Sequence, residues 1–291
     1  MSMMIHNKKQ RETPSIIRRV SVLSLLLMTT VLSACSTPMT AQNLCELKVL
    51  SLLIPKQSEE AVESGSLESI QVLKRSQEKL NQTMYLIQKN DSNHQDLSQM
   101  LANSQAISKN IDVIAKNQDN LNRLYDYQIV VFEQIPNIQA EYNLLTDMMA
   151  RKNYPATQVV IAKNQVFMGE RILRSIGSLS KSNEFSRHSM DDFLADLETF
   201  NVYLHAQLNG NAELGVERVK DTEMRESLLS IQEDIQVILD SETFKLLQKR
   251  EPLASTYQAA RDNVEISDEI FIKLLCTRQI SQNPYPIRIL P

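Results

Sequence analysis

The residue best placed for chemistry is Cys35, approached through Leu32-Ser33-Ala34. A thiol behind small residues, at the end of a short apolar run, is the acceptor used in bacterial lipidation. The run, Val20 to Ala34, follows a segment carrying Lys8, Lys9, Arg11, Arg18 and Arg19. A basic lead, an apolar core and a small-residue cleavage site read together as a signal peptide covering 1–34. The core has about 15 residues, short of the ~20 that a spanning helix needs. An uncleaved membrane anchor is the competing reading. On the preferred one, cleavage leaves Cys35 first and its thiol takes a diacylglycerol. Two or more acyl chains then hold almost permanently, because each buried methylene contributes ~0.8 kcal/mol. Ser36 rather than Asp after the cysteine favours the outer membrane by the usual sorting rule, with the protein facing the periplasm.

Other residue types capable of chemistry are scattered. His6, His94, His188 and His205 have no partners at metal-ligand spacing. The 5 glycines are too dispersed to cradle a phosphate. No nucleophile elbow is present, and Cys45 has no activating neighbour. Asp191-Asp192 falls in the first turn of an expected helix, where the dipole favours carboxylates. No catalytic residue, metal ligand or cofactor site can be named, and an enzyme is not expected. Cys45 and Cys276 complete the 3 cysteines of the chain. The periplasm is oxidising and permits a disulfide between them, and a hairpin of helices would bring them together. Two unpaired thiols, or pairing between chains, are the alternatives.

The whole chain of 291 residues carries a net charge of −4, and removing 1–34 takes away five basic residues and one acidic one, making the mature chain more acidic. Without a basic patch there is no electrostatic reason to seek nucleic acid. Few glycines, no Trp and abundant Leu, Ile, Gln, Asn and Ser leave little material for strands. After Cys35 no apolar run is long enough for a second membrane crossing.

Helices must therefore position whatever the chain binds. From Ile107 to Met149 apolar residues recur in steps of three and four, through Ile111, Ile114, Leu121, Leu124, Val131, Ile135, Ile138, Tyr142 and Leu145. Such spacing keeps one stripe against a partner helix and resembles a coiled-coil seam. The expectation is one rod of roughly 65 Å, kinked at Pro136. Gln118, Gln128 and Gln165 occupy seam positions, where polar residues fix register. Pro155 suits a helix start, followed by Ile161, Gln165, Met168, Ile172, Ile176 and Leu179. Ser189 and Asp192 read as a capping box ahead of Phe193, Leu197, Phe200 and Leu204. Gly210 suits the end of that helix, and Asp221 the cap of the next, with its seam at Met224, Leu228, Ile231, Ile235 and Ile238. Leu67 to Lys89 is helical by pattern, with a break around Asn90 to Asn93. The fold class is all-α.

Four segments carry a resemblance. NIDVIAKNQDN at 110–120, FEQIPNIQAEYNLL at 132–145, YPATQVVIAKNQVFMGERILRSI at 154–176 and FLADLETFNVYLHAQLNGNAELGVERVKD at 193–221 resemble, in order, the periplasmic region of the PilJ family of type IV pilus methyl-accepting chemoreceptors. The region 45–104 matches loosely, with Lys74-Arg75-Ser76-Gln77 as an echo in a first module. The resemblance implies a long antiparallel bundle of two stacked four-helix modules, a homodimer, and a pilin subunit as partner. It also implies that both termini sit at the membrane-proximal base, placing Cys45 beside Cys276. The corresponding divisions are a tether at 35–57, a first module with the long connecting helix at 58–153, a second module at 154–275 and an irregular tail at 276–291. In the wider superfamily, nitrate sensors set two arginines five residues apart. Arg171 matches the second, but Val166 stands where the first would be, so an ion pair is the favoured role. Gln165, Glu170 and Arg171 are the candidate ligand or dimer-interface residues. The family continues into a second span, a HAMP domain and a cytoplasmic coiled coil, which this sequence does not show. The expectation is thus a lipid-anchored sensor-type binding module linked to pilus surface sensing or chemotaxis. A structural envelope spacer, or the front piece of a receptor, is the alternative.

Overall fold

A computed structural model describes the backbone of residues 39–90 and 96–281, and the side chains of 41–90 and 96–275. Cys35 and the leader lie outside the described residues. Nine helices are present among the described ones: α1 (Met39–Ser64), α2 (Leu67–Asn90), α3 (Leu97–Lys116), α4 (Gln118–Arg151), α5 (Ala156–Ser178), α6 (Arg187–Asn209), α7 (Thr222–Leu239), α8 (Glu242–Lys249) and α9 (Glu251–Ser281). The only β pairing among them is the isolated Asn211–Val216 bridge. The fold is an all-α bundle.

Packing sorts the helices into two groups of four. α1 lies against α2 and α9, and α3 against α2 and α9. Beyond them α4 packs on α5 and α7, and α6 on α5 and α7. α4 follows α3 after the single residue Asn117 and also touches α1, while the short α8 sits among α4, α6 and α9. One apolar core runs through both groups, from Leu47 to Leu274.

The expected seams account for most of this core. Ile135, Ile138, Leu145, Ile172, Phe200, Leu204, Ile231 and Ile235 are all fully buried. Each such side chain truncated to Ala would cost about 2–5 kcal/mol. Asp221 caps α7, accepting the Met224 N–H at 3.2 Å. Gly210 ends α6 at a φ of 86°, open to glycine at no steric cost.

Several expectations need correction. The rod from 107 to 149 is two helices, because Asn117 leaves helical geometry at φ −98°, ψ 13° and its Nδ2 donates to Val113 O. Gln118, expected in the seam, is consequently the first residue of α4 and only half-buried. The cap of α6 is Ser186, which accepts the Ser189 N–H at 3.0 Å, while the Ser189 hydroxyl accepts the Ser186 N–H at 2.8 Å. Ser189 is thus the third helical residue rather than the cap, and Asp192 faces His188 at 3.4 Å. The segment assigned as a tether, 35–57, is helical from Met39 and carries Pro55 inside α1. The tail assigned as irregular from 276 continues as helix to Ser281. Residues 251–275 do not belong with the second group: α9 returns to α1 and α3. The first module is therefore discontinuous in sequence.

Candidate ligand-binding face

Three residues of α5 were the candidates, and the structure separates them. Gln165 is only 2% exposed. Its Nε2 donates to Phe200 O at 2.9 Å and to the Tyr142 hydroxyl at 3.4 Å. That hydroxyl in turn donates to Gln207 Oε1 at 2.9 Å, and the Tyr142 and Phe200 rings meet edge to face at 5.6 Å. Burial pushes the Tyr142 hydroxyl far above its ordinary range, keeping it a donor. Gln165 is therefore an interior bracket tying α4, α5 and α6 together, out of reach of a partner chain or a surface ligand.

Arg171 and Glu170 are exposed, and each has a local partner. The Arg171 guanidinium pairs with Asp196 of α6 at 2.5 Å. Asp196 is 5% exposed, and that burial raises its pKa while the Arg171 charge pulls it back. The guanidinium thus compensates a buried carboxylate, the ion-pair role favoured from sequence. Glu170 accepts from Gln139 Nε2 at 3.2 Å, and the same nitrogen donates to Val166 O at 3.0 Å. Gln139 reaches across because Gly169 leaves room: a Cβ there would stand 2.7 Å from Gln139 Cγ. Neither Gln139 nor Gly169 was identifiable from spacing, since the signal is a cross-helix contact.

The first module repeats this device. Gln77 of α2 donates to Ser108 O at 2.8 Å and to Asp112 Oδ1 at 2.9 Å on α3. In both modules one glutamine spans a backbone oxygen and a carboxylate four residues later on the neighbouring helix. The motif Lys74-Arg75-Ser76-Gln77 thus contains the structural counterpart of Gln139.

Cys45, on α1, is disulfide-bonded. Cys276 lies on α9, whose side chains are described only to residue 275. Among the described residues no cluster of three His, Cys, Asp or Glu could hold a metal ion, and no helix is long and apolar enough to cross a membrane.

No protein-family model matches the chain. It is similar to Protein PilJ of Pseudomonas aeruginosa, 25% identical over 242 residues, covering 78% of this chain and 35% of PilJ. It is also similar to AlkN of Alcanivorax borkumensis, a protein named for methyl-accepting chemotaxis. There the identity is 23% over 216 residues, covering 74% of this chain and 32% of AlkN. The chain is PilJ-like over most of its length. It spans about a third of the length of the curated relatives it matches. The resemblance is to a sensory region of the chemoreceptor type. The paired cross-helix glutamines and the two four-helix groups are what such a tandem bundle is built from here.

Proposed function

We propose that this chain is a periplasmic sensory module of the chemoreceptor type, held at the membrane by lipid on Cys35 and reading the pilin subunit during surface contact. The observation that carries the reading is the similarity to a chemotaxis-named protein and to PilJ over about three-quarters of the chain. Geometry adds support. α1 begins four residues after Cys35, so a lipid there would sit beneath the first module. From Leu97 to Arg151, α3 and α4 would extend roughly 80 Å at 1.5 Å per residue, carrying the second module outward. Its far end is a rigid presentation surface. Gln158 donates to Gly215 O at 3.0 Å and accepts the Glu217 N–H at 3.0 Å, fixing the loop between α6 and α7. Lys152, in the turn after α4, pairs with Asp221 at 2.6 Å.

The full-length protein in proteoliposomes, titrated with purified pilin, tests the reading. Saturable binding that is lost when the 210–221 loop is replaced by a glycine-serine linker is the expected result. Absence of binding to both monomeric pilin and assembled pili overturns it. A spacer role would be revealed if an unrelated bundle of equal length restored the surface response of a deletion strain. For the anchor, Cys35→Ser should leave precursor or soluble protein, and membrane fractionation in the parent's processed form refutes lipidation.

A further inference from the structure

α1 and α9 meet in a seam whose polar ties are unevenly spread. Towards the module junction Tyr257 donates to Val62 O at 3.0 Å and stacks on Phe185. Arg261 Nη1 holds the same stretch of α9, donating to Ser182 O at 3.1 Å and to Phe185 O at 2.9 Å. Asn263 Nδ2 then donates to Ser58 Oγ at 3.0 Å. Further from the junction the balance changes. Ser267 Oγ, on a fully buried residue of α9, and Asn43 Nδ2, on a buried residue of α1, have no partner among the described residues. Asn103 Nδ2 ties that stretch of α9 through Glu269 at 3.0 Å, but to α3 rather than α1. A buried polar group without a partner costs free energy instead of contributing it. The half of the seam beyond Asn263 therefore carries groups that weaken it.

The same contacts give the register. Val62 meets Tyr257 and Ser58 meets Asn263, so the two helices run antiparallel. Cys45 stands thirteen positions before Ser58, and Cys276 thirteen after Asn263. Both intervals are continuous helix, and each rises about 20 Å. The backbones of Cys45 and Cys276 thus come level on adjoining helices. Cys45 is disulfide-bonded and half-buried, and the chain offers it two partners, Cys35 and Cys276. Cys35 precedes the start of α1, whereas Cys276 stands at the level that the seam assigns.

We infer that Cys45 and Cys276 are a site of oxidative modification, joined in a disulfide that clasps α1 to α9 where the seam's own polar groups are unanswered. In forming it each thiol gives up a proton and an electron. All four are taken up by the disulfide of a thiol-oxidising protein, which leaves as a dithiol while the new S–S bond closes. That class of oxidant rests on the periplasmic reading, because such a compartment keeps cysteines oxidised. The pairing itself rests on register. The bond closes a loop of about 230 residues, so it restricts the unfolded chain strongly. In the folded state it holds the two helices level about 20 Å from the Ser58–Asn263 bond. It leaves Cys35 as the thiol for the proposed lipid, ten positions ahead of Cys45, and so couples the end of α9 to the lipid-bearing segment.

Hydrogen exchange of the full-length protein, as purified and again in excess dithiothreitol, tests the clasp. Amides of 264–275 are expected to exchange at least about ten-fold faster once the bond is reduced. Amides of 253–262, held by Tyr257 and Arg261, should change by less than about two-fold. The melting temperature should fall by about 5–15 °C on reduction. Cys45→Ser and Cys276→Ser should each reproduce the reduced pattern, and Cys35→Ser should keep the oxidised one. Reduction of the parent protein gives the answer even where a variant folds poorly. Three results overturn the inference: equal exchange at 264–275 in both states, a Cys276→Ser protein in which Cys45 is joined to Cys35, or a bond between two chains on a non-reducing gel. Clasped protein that binds no pilin upholds the inference while the sensory reading falls.

Discussion

Replacing Tyr142 with Phe tests how far the second module depends on its buried polar bracket. The ring remains packed on Phe200, so only the hydroxyl is lost. Its bond to Gln207 Oε1 at 2.9 Å is worth about 1 kcal/mol net. The larger consequence falls on Gln207, which is 1% exposed and whose Nε2 already finds no partner among the described residues. Without Tyr142 its Oε1 would be stranded as well, a desolvation cost of about 1–3 kcal/mol. Gln165 keeps its bond to Phe200 O, so it adds little. The sum is about 2–4 kcal/mol. With a urea slope of about 2–3 kcal/mol/M, the midpoint should fall by about 0.7–2 M at constant slope. The decisive arm is the double variant Tyr142→Phe with Gln207→Leu. Removing both partners leaves nothing unsatisfied between them, so it should be more stable than the sum of the single changes predicts, with a coupling of about 1–2 kcal/mol. A shift below about 0.2 M for the single change, or additive effects, would show that Gln207 finds another partner and that the bracket argument is wrong.

Three further outcomes are expected. Gly65→Ala should destabilise by about 3 kcal/mol or more, since Gly65 sits at φ 59° and a Cβ would stand 2.4 Å from Asn122 N and 2.5 Å from Leu121 C; a melting temperature within a degree of the parent contradicts this. Arg171→Ala should raise the apparent pKa of Asp196, followed by carboxyl NMR, and lower stability at pH 7 by about 1 kcal/mol, the guanidinium being largely exposed. Because burial raises the folded pKa of Asp196 above its ordinary 3.8, its contribution makes stability fall as pH rises through that window. Removing the cation should widen the fall, and a pKa that moves down instead refutes the pairing. Non-reduced peptide mapping should return Cys45 linked to Cys276, a loop of roughly 230 residues worth something like 5 kcal/mol in the entropy model; both thiols alkylated in periplasm-derived protein rules it out.

Apolar seams made the fold legible where they were uninterrupted. In α7 the spacing of Met224, Leu228, Ile231, Ile235 and Ile238 leaves little choice but a buried stripe, and all five are fully buried. α9 was harder to read because its buried face includes Thr256, Asn263 and Ser267 at 0% exposure, which a hydrophobic period does not register. α1 hid behind Pro55 and the buried Ser51 and Ser58 for the same reason. The shift of the α6 cap from Ser189 to Ser186 follows from having two serines three residues apart, where the sequence permits either start. Arg171 was legible as an ion-pair residue, but its partner was not, since Asp196 lies on another helix and only packing brings it within reach.

Buried polar groups lie in the seams of both modules. Around α7 the contact is apolar, while α4 and α6 leave Tyr127 Oη, Asn201 Oδ1 and Gln207 Nε2 without a partner among the described residues. Between α1 and α9 the contact is lined with small polar groups. Asn263 Nδ2 donates to Ser58 Oγ at 3.0 Å, yet Asn263 Oδ1, Ser267 Oγ, Asn43 Nδ2 and Gln57 Oε1 find no partner among the described residues. Each unmade bond lowers the advantage of the observed register over a neighbouring one. Tyr257 fixes the junction, stacking on Phe185 at 3.7 Å and donating to Val62 O at 3.0 Å. Gly65, whose neighbours are the backbone atoms of Leu121 and Asn122, fixes the turn from α1 to α2 against α4 at the same level. The two contacts hold α1, α4 and α9 together at one level, forming a collar between the modules.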